Sequence, residues 1–135
     1  MSKFRKKAEE LRAIKEPHYN CAQAVFIPFA EEMGISEQAA NGISANFGSG
    51  MKMAATCGAI AGGLMVLGLF GVDSSQTIGE YYRRLKERHQ GKLNCSDLLA
   101  INKEQGGQKK PHCDSMVYEC VDLVEELLKE QGKIK

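Results

Sequence analysis

Net charge is almost absent from this chain: 18 lysines and arginines meet 17 aspartates and glutamates, leaving +1. A phosphate binder needs a clustered basic face, so nucleic acid is excluded as a partner. The basic opening "SKFRKKAEELRAIKE" is soon balanced by Glu9, Glu10 and Glu16 and reads as a solvated helix face. No apolar run of the signal-peptide kind occupies the first residues, which leads to the expectation of a cytoplasmic protein. Period-two alternation of apolar and polar residues, the mark of a half-buried strand, is missing throughout. So are repeats, a low-complexity tail, a general acid–base pair and a hydrolytic triad. The "GSG" at 48–50 is not followed by Lys-Ser/Thr and no strand precedes it, so it is a tight inter-helix turn rather than a P-loop.

What is present has the proportions of a soluble globular protein. At 135 residues, with 43% hydrophobic and 26% charged, the chain suits one domain with a proper core. The stretch "MAATCGAIAGGLMVLGLFGV" at 53–72 carries no charge and is long enough to span a bilayer. Five of its twenty residues are glycine, and Thr56 can cap a helix beginning at Cys57. The amphipathic segments around it need a central partner to bury against. A buried central helix rich in glycine and alanine is therefore expected, with no membrane contact.

The apolar periodicity predicts helices nearly everywhere. The first covers about 2–15, a peripheral N-terminal helix within 1–17 that Pro17 stops. A second begins at Asn20, with Gln23 completing a capping box, and ends at Gly34 with Pro28 inside it. A third follows Ser36 to Phe47. After the central helix, Ser74 and its neighbours cap a fifth near 77–90, and Asn94 caps a short one through Ile101. The polar "NKEQGGQKKP", 102–111, reads as a flexible loop. A last amphipathic helix covers about 111–131. The expected fold is a compact all-α bundle, one domain over 1–135, of about five to seven helices around the central one.

Four of five cysteines sit at predicted helix starts: Cys21 after Asn20, Cys57 after Thr56, Cys95 after Asn94, and Cys113 after Pro111-His112. There the unsatisfied backbone N–H groups and the helix dipole favour negative charge, so a thiol ionises more readily. The thiolate is both nucleophile and metal ligand. Cys120 falls in mid-helix on the apolar stripe and reads as a small buried hydrophobe, though it shares a face with Cys113. Gaps of 36, 38 and 18 residues contain no C-x-x-C and no C-x-x-C-H. Zinc-ribbon, thioredoxin and covalent haem motifs are thereby excluded as sequence patterns. An odd number of cysteines in a reducing compartment also argues against structural disulfides. The tertiary fold would have to gather the four thiols, to hold an iron–sulfur cluster or zinc, or to cycle between dithiol and disulfide. His18 and His112 flank two of them as candidate ligands or proton donors. His89 is placed to meet the dipole at the end of its own helix.

From His18 to Leu128 the chain resembles the redox-active proteins named for the pattern C…GCAxxG…C…C. The likeness rests on "HYNCAQAV", "GISANFGSGMKMAATCGAIAGGLMVLGL", "NCSDLL" and "HCDSMVYECVDLVEELL". It places the family cysteines on Cys21, Cys57, Cys95 and Cys113 and the family glycine on Gly62, with Cys120 additional. Thr56-Cys57-Gly58-Ala59 stands where the label has Gly-Cys-Ala, so the Cys-to-Gly spacing is one residue longer. The resemblance implies a compact helical redox domain and names no substrate. The family is also similar to the helical domain of a split-Soret type cytochrome, which makes a cofactor site conceivable.

Three readings follow. In the first, Cys21, Cys57, Cys95 and Cys113 form one thiolate site holding an iron–sulfur or other metal centre for electron transfer, with an unidentified redox partner. In the second, the protein is a metal-free thiol–disulfide oxidoreductase with Cys21 or Cys57 attacking. In the third, it is a helical interaction module with incidental cysteines. The small residues of the central helix would serve a homodimer as well as a monomer.

Overall fold

The computed structural model describes residues 2–135. Seven helices follow one another: α1 Lys3–Ala13, α2 Cys21–Glu32, α3 Glu37–Ser44, α4 Gly58–Leu69, α5 Ser75–Arg88, α6 Cys95–Glu104 and α7 Lys109–Glu130. Among the described residues extended pairing is confined to one isolated antiparallel bridge, Thr56 opposite Asn94. No helix is long and apolar enough to cross a membrane among these residues.

Local sequence explains most helix starts. Asn20 and Gln23 form the expected capping box on α2, each side chain bonding the other's backbone N–H at 2.9 Å. Ser2, Ser36 and Ser74 cap α1, α3 and α5 one way only, each side-chain oxygen accepting from the backbone N–H three residues on. By contrast, the N-termini of α4, α6 and α7 have no side-chain cap. Cysteines occupy or closely follow these three starts.

The centre is α4, whose glycines decide how closely its neighbours approach. A Cβ added at Gly62 would lie 2.9 Å from the Ala22 carbonyl oxygen and 3.1 Å from Val25 Cβ, so α2 crosses α4 almost backbone to backbone. A Cβ at Gly63 would overlap the Tyr81 hydroxyl of α5 and stand 3.0 Å from Val124 of α7. Around this axis, Phe29 stacks on Phe4 at 4.2 Å between centroids and meets Phe70 edge-on at 6.3 Å. Helix α7 contributes the stripe Met116, Val117, Cys120, Leu123, Val124, Leu127 and Leu128, all buried.

Several expected boundaries move. The 102–111 segment is largely helical: α6 continues to Glu104, α7 starts at Lys109, and only 105–108 separates them. Asn102 closes this turn, its side chain donating to the Gln108 carbonyl at 3.0 Å and its own carbonyl accepting from Gly107. Pro111 lies within the first turn of α7 instead of opening it, a place where a missing N–H costs little. The N-cap of α4 is Cys57, not Thr56, because Thr56 is drawn into the bridge with Asn94. Helix α1 is more than a peripheral solvated face, since Phe4, Ala8, Leu11 and Arg12 are all buried.

Candidate functional site: four thiols around one cavity

Cys21 is the first residue of α2, Cys57 the N-cap of α4, and Cys95 the first residue of α6. Cys113 is the fifth residue of α7, in the second turn rather than the expected first, because that helix begins two residues early. The bridge between Thr56 and Asn94 brings two of these starts together. The Cys57 N–H donates to the Leu93 carbonyl at 2.9 Å and the Cys95 N–H to the Ala55 carbonyl at 2.6 Å. Backbone groups that a side-chain cap would otherwise satisfy are thus taken up by a second strand of chain.

All four cysteines line a single cavity of about 650 Å3. They share its wall without converging on a point. Among the described residues no group of three or more His, Cys, Asp or Glu side chains stands close enough to hold a metal ion. The fifth thiol, Cys120, is fully buried near the Tyr81 hydroxyl, which donates to the Ile60 carbonyl at 2.9 Å. It faces the core and not the cavity. All five cysteines are free thiols.

Within this set, Cys21 and Cys113 are a pair. The neighbouring Cys21 thiol brings the Cys113 thiol down to about 7; burial opposes the shift, and the charges of Arg12 and Lys109 assist it. The same neighbour relation, together with burial, pushes Cys21 far up. Burial raises Cys57 to about 11, and the backbone N–H groups of Ala59 and Ile60 at the start of α4 do not offset it. Cys95 is also raised by burial. Helix-terminal placement alone therefore does not make the four thiols acidic. Cys113 is the exception, and its cause is a neighbour distant in sequence.

Arg12 fixes that pair in place. Its side chain is 5% exposed, and its Nε donates to Asp114 Oδ1 at 2.6 Å while a guanidinium nitrogen donates to the Tyr19 carbonyl at 2.9 Å. Lys110 adds bonds to Asp114 and to the Arg12 carbonyl. One buried cation so ties α1 to the residue before the α2 cap and to the residue after Cys113. Sequence reasoning missed Arg12 by treating the opening helix as solvated. The spacing Phe4, Ala8, Leu11, Arg12 carries the signal, a charged residue on the buried stripe.

The histidines separate. His18 lines the cavity and is exposed, whereas His112 is half-buried there and its imidazole is pushed below the ordinary range by burial. His89 lies outside the cavity; it is the C-cap of α5 and its Nε2 sits 2.7 Å from Glu119 of α7. Of the two glycines singled out with the cysteines, Gly58 lets the backbone of Phe47 and Gly48 approach, a Cβ there standing 2.9 Å from the Phe47 carbonyl oxygen, and Gly62 seats α2.

Beside the start of α6, the cavity is walled by a turn over 49–54 in which Ser49, Met51, Lys52 and Ala54 all have positive φ, between 53° and 59°. Such residues cost of order 1–3 kcal/mol each and persist where surroundings over-determine them. Gly50, at φ +63°, leaves no room for a side chain: a Cβ would lie 2.6 Å from Ala55 backbone and 2.9 Å from Cys95 Cβ. The turn holds Lys52 with its Nζ 2.9 Å from Asn46 Oδ1.

With this geometry in view, a family model described as "Putative redox-active protein (C_GCAxxG_C_C)" matches residues 19–127. The chain belongs to that family. The matched span contains all four cavity cysteines and excludes Arg12, so the residue that braces the family site here lies outside the family match. Neither the curated proteins nor the solved structures yield a match.

Proposed function

We propose that the protein works as a thiol–disulfide redox protein in which Cys113 is the nucleophile and Cys21 its resolving partner. The observation that carries this reading is that Cys21 and Cys113, near the starts of two different helices, lie beside each other on the wall of an accessible cavity. The Cys113 thiolate forms a bond to one sulfur of a substrate disulfide; that S–S bond breaks and the leaving thiolate takes up a proton. Cys21 then gives up its proton and attacks Cys113, forming the Cys21–Cys113 disulfide and releasing the second substrate sulfur as a thiol. Two electrons pass from the protein dithiol to the substrate, and the two thiol protons end on the two substrate thiols. This assigns attack to Cys113 and not to Cys21 or Cys57, because the other thiols are held protonated. A resting dithiol of this kind suits a reducing compartment such as the cytoplasm.

A second reading is favoured by a different observation, the presence of Cys21, Cys57, Cys95 and Cys113 on one cavity wall. Gathered to one point by movement of their side chains, which do not converge here, four thiolates would be the donor set for an iron–sulfur cluster or zinc serving electron transfer, with no open position for a substrate. One preparation tests both. Protein purified without oxygen is examined by absorption spectroscopy and metal analysis, then oxidised mildly and mapped by mass spectrometry without reduction. The dithiol reading expects a colourless, metal-free protein that yields a Cys21–Cys113 linked peptide. Stoichiometric iron or zinc, lost on Cys→Ser change at any of the four, would replace it with the metal centre.

A further inference from the structure

We propose that the cavity takes an anionic low-molecular-mass disulfide, one whose carboxylate or phosphate groups are held by Lys52 and Lys109. The inference rests on the dithiol reading above and names its substrate class. Four cationic side chains line the cavity, Arg12, Lys52, Lys109 and Lys110, and no Asp or Glu does among the described residues. That one-sided lining contrasts with a chain whose net charge is only +1. Two of the four cations are already engaged, because Arg12 and Lys110 share one carboxylate, Asp114. The other two are available. Lys52 contacts only the neutral Asn46 amide, and Lys109 forms no ion pair among the described residues.

The placement of these two lysines fits a ligand that reaches the thiols. Lys109 opens α7 one turn before Cys113 and lowers that thiol's proton affinity through its charge. Lys52 lines the same cavity from a different element, the left-handed turn beside Gly50, whose missing side chain leaves room for Cys95. Anionic groups on a bound disulfide would meet both cations while its sulfurs face Cys113. Leu98, Leu99 and Met116 supply apolar wall for the rest of such a molecule. The volume, about 650 Å3, is in the range of small-molecule sites and well short of a folded protein partner. A cleft lined by one sign of charge raises the local concentration of oppositely charged ligand and its association rate, an effect that salt removes.

The experiment compares two probes of similar size on the reduced, full-length protein: dithiobis(nitrobenzoate), which is dianionic, and dithiodipyridine, which is neutral. Stopped-flow rates for Cys113 are expressed as the ratio of anionic to neutral probe, so that any change in thiolate fraction cancels. The ratio should fall by about tenfold in the Lys52→Gln, Lys109→Gln double variant, the lower end of electrostatic steering in a charged cleft. In the unaltered protein it should fall as sodium chloride is raised, a reading that needs no variant to fold. A ratio indifferent to both changes overturns the inference and leaves the dithiol reading standing. If neither probe modifies Cys113 faster than it modifies Cys95, the dithiol reading itself fails and the substrate class falls with it.

Discussion

At the scale of single residues the site turns on the juxtaposition of two thiols. Cys113 is brought to about 7 chiefly by its neighbour Cys21, whose own thiol is pushed up in turn. For an acid with a lowered pKa, the reactive thiolate is present above that value and lost as pH falls through it. The rate of Cys113 alkylation by iodoacetamide should therefore rise through about pH 7 and level off. Cys21→Ala removes that neighbour and should carry the midpoint upward toward the ordinary thiol range, whereas Cys57→Ala should leave it in place. Peptide-resolved mass spectrometry across pH reads both; an unmoved midpoint in Cys21→Ala would show that the cations and not the thiol set it. The sequence made the four cysteines legible as a set because an Asn or Thr precedes three of them at an apolar run. It did not reveal which thiol is acidic. That depends on Arg12 and Cys21, which reach Cys113 from α1 and α2 through tertiary contacts that no local pattern encodes, with Lys109 adding its charge from one turn away on α7.

Among the elements, α4 shows how far composition can be read. Its glycine and alanine content announced a buried axis, and Gly62 and Gly63 do sit against neighbouring chain. Gly68, in the same helix, meets nothing within 4 Å of an added Cβ. Glycine-to-alanine changes at the two positions should therefore have opposite signs. Gly63→Ala forces the Tyr81 hydroxyl away from the Ile60 carbonyl and should destabilise by about 1–3 kcal/mol, the usual range for overpacking. Gly68→Ala should stabilise by up to about 1 kcal/mol through helix propensity alone. Thermal melts of the two variants decide; equal effects would mean that α4 is not packed this way. The caps on α2, α3 and α5 were legible because Asn20, Ser36 and Ser74 act on residues three positions away. The starts of α4 and α6 were displaced or left uncapped because Thr56 and Asn94 pair across the fold instead. The start of α7 was misplaced by treating Pro111 as a boundary when it is tolerated inside a first turn.

Taken as a whole, the molecule is held by a bundle in which α1, the chain before α2, and α7 meet at Arg12 and the Cys21–Cys113 pair. The two cysteines are roughly ninety residues apart in sequence, so joining them would restrict the unfolded chain by about 4–5 kcal/mol on the loop-closure account. The oxidised protein should then melt well above the reduced one, by calorimetry in the absence and presence of a reductant. If the two forms melt together, the pair does not close into a disulfide without disturbing the bundle. The all-helical fold was readable from periodicity; this closure of the first helices on the last was not, since it joins residues that share no local pattern.

The same separation has a consequence for how the protein is made. A growing chain that has reached α6 already carries Cys21, Cys57 and Cys95, yet it lacks the partner that makes the pair. Until α7 is synthesised and docked, every exposed thiol is an ordinary one. Folding then divides them: burial draws Cys21, Cys57 and Cys95 away from ionisation while Cys113 alone is brought toward it.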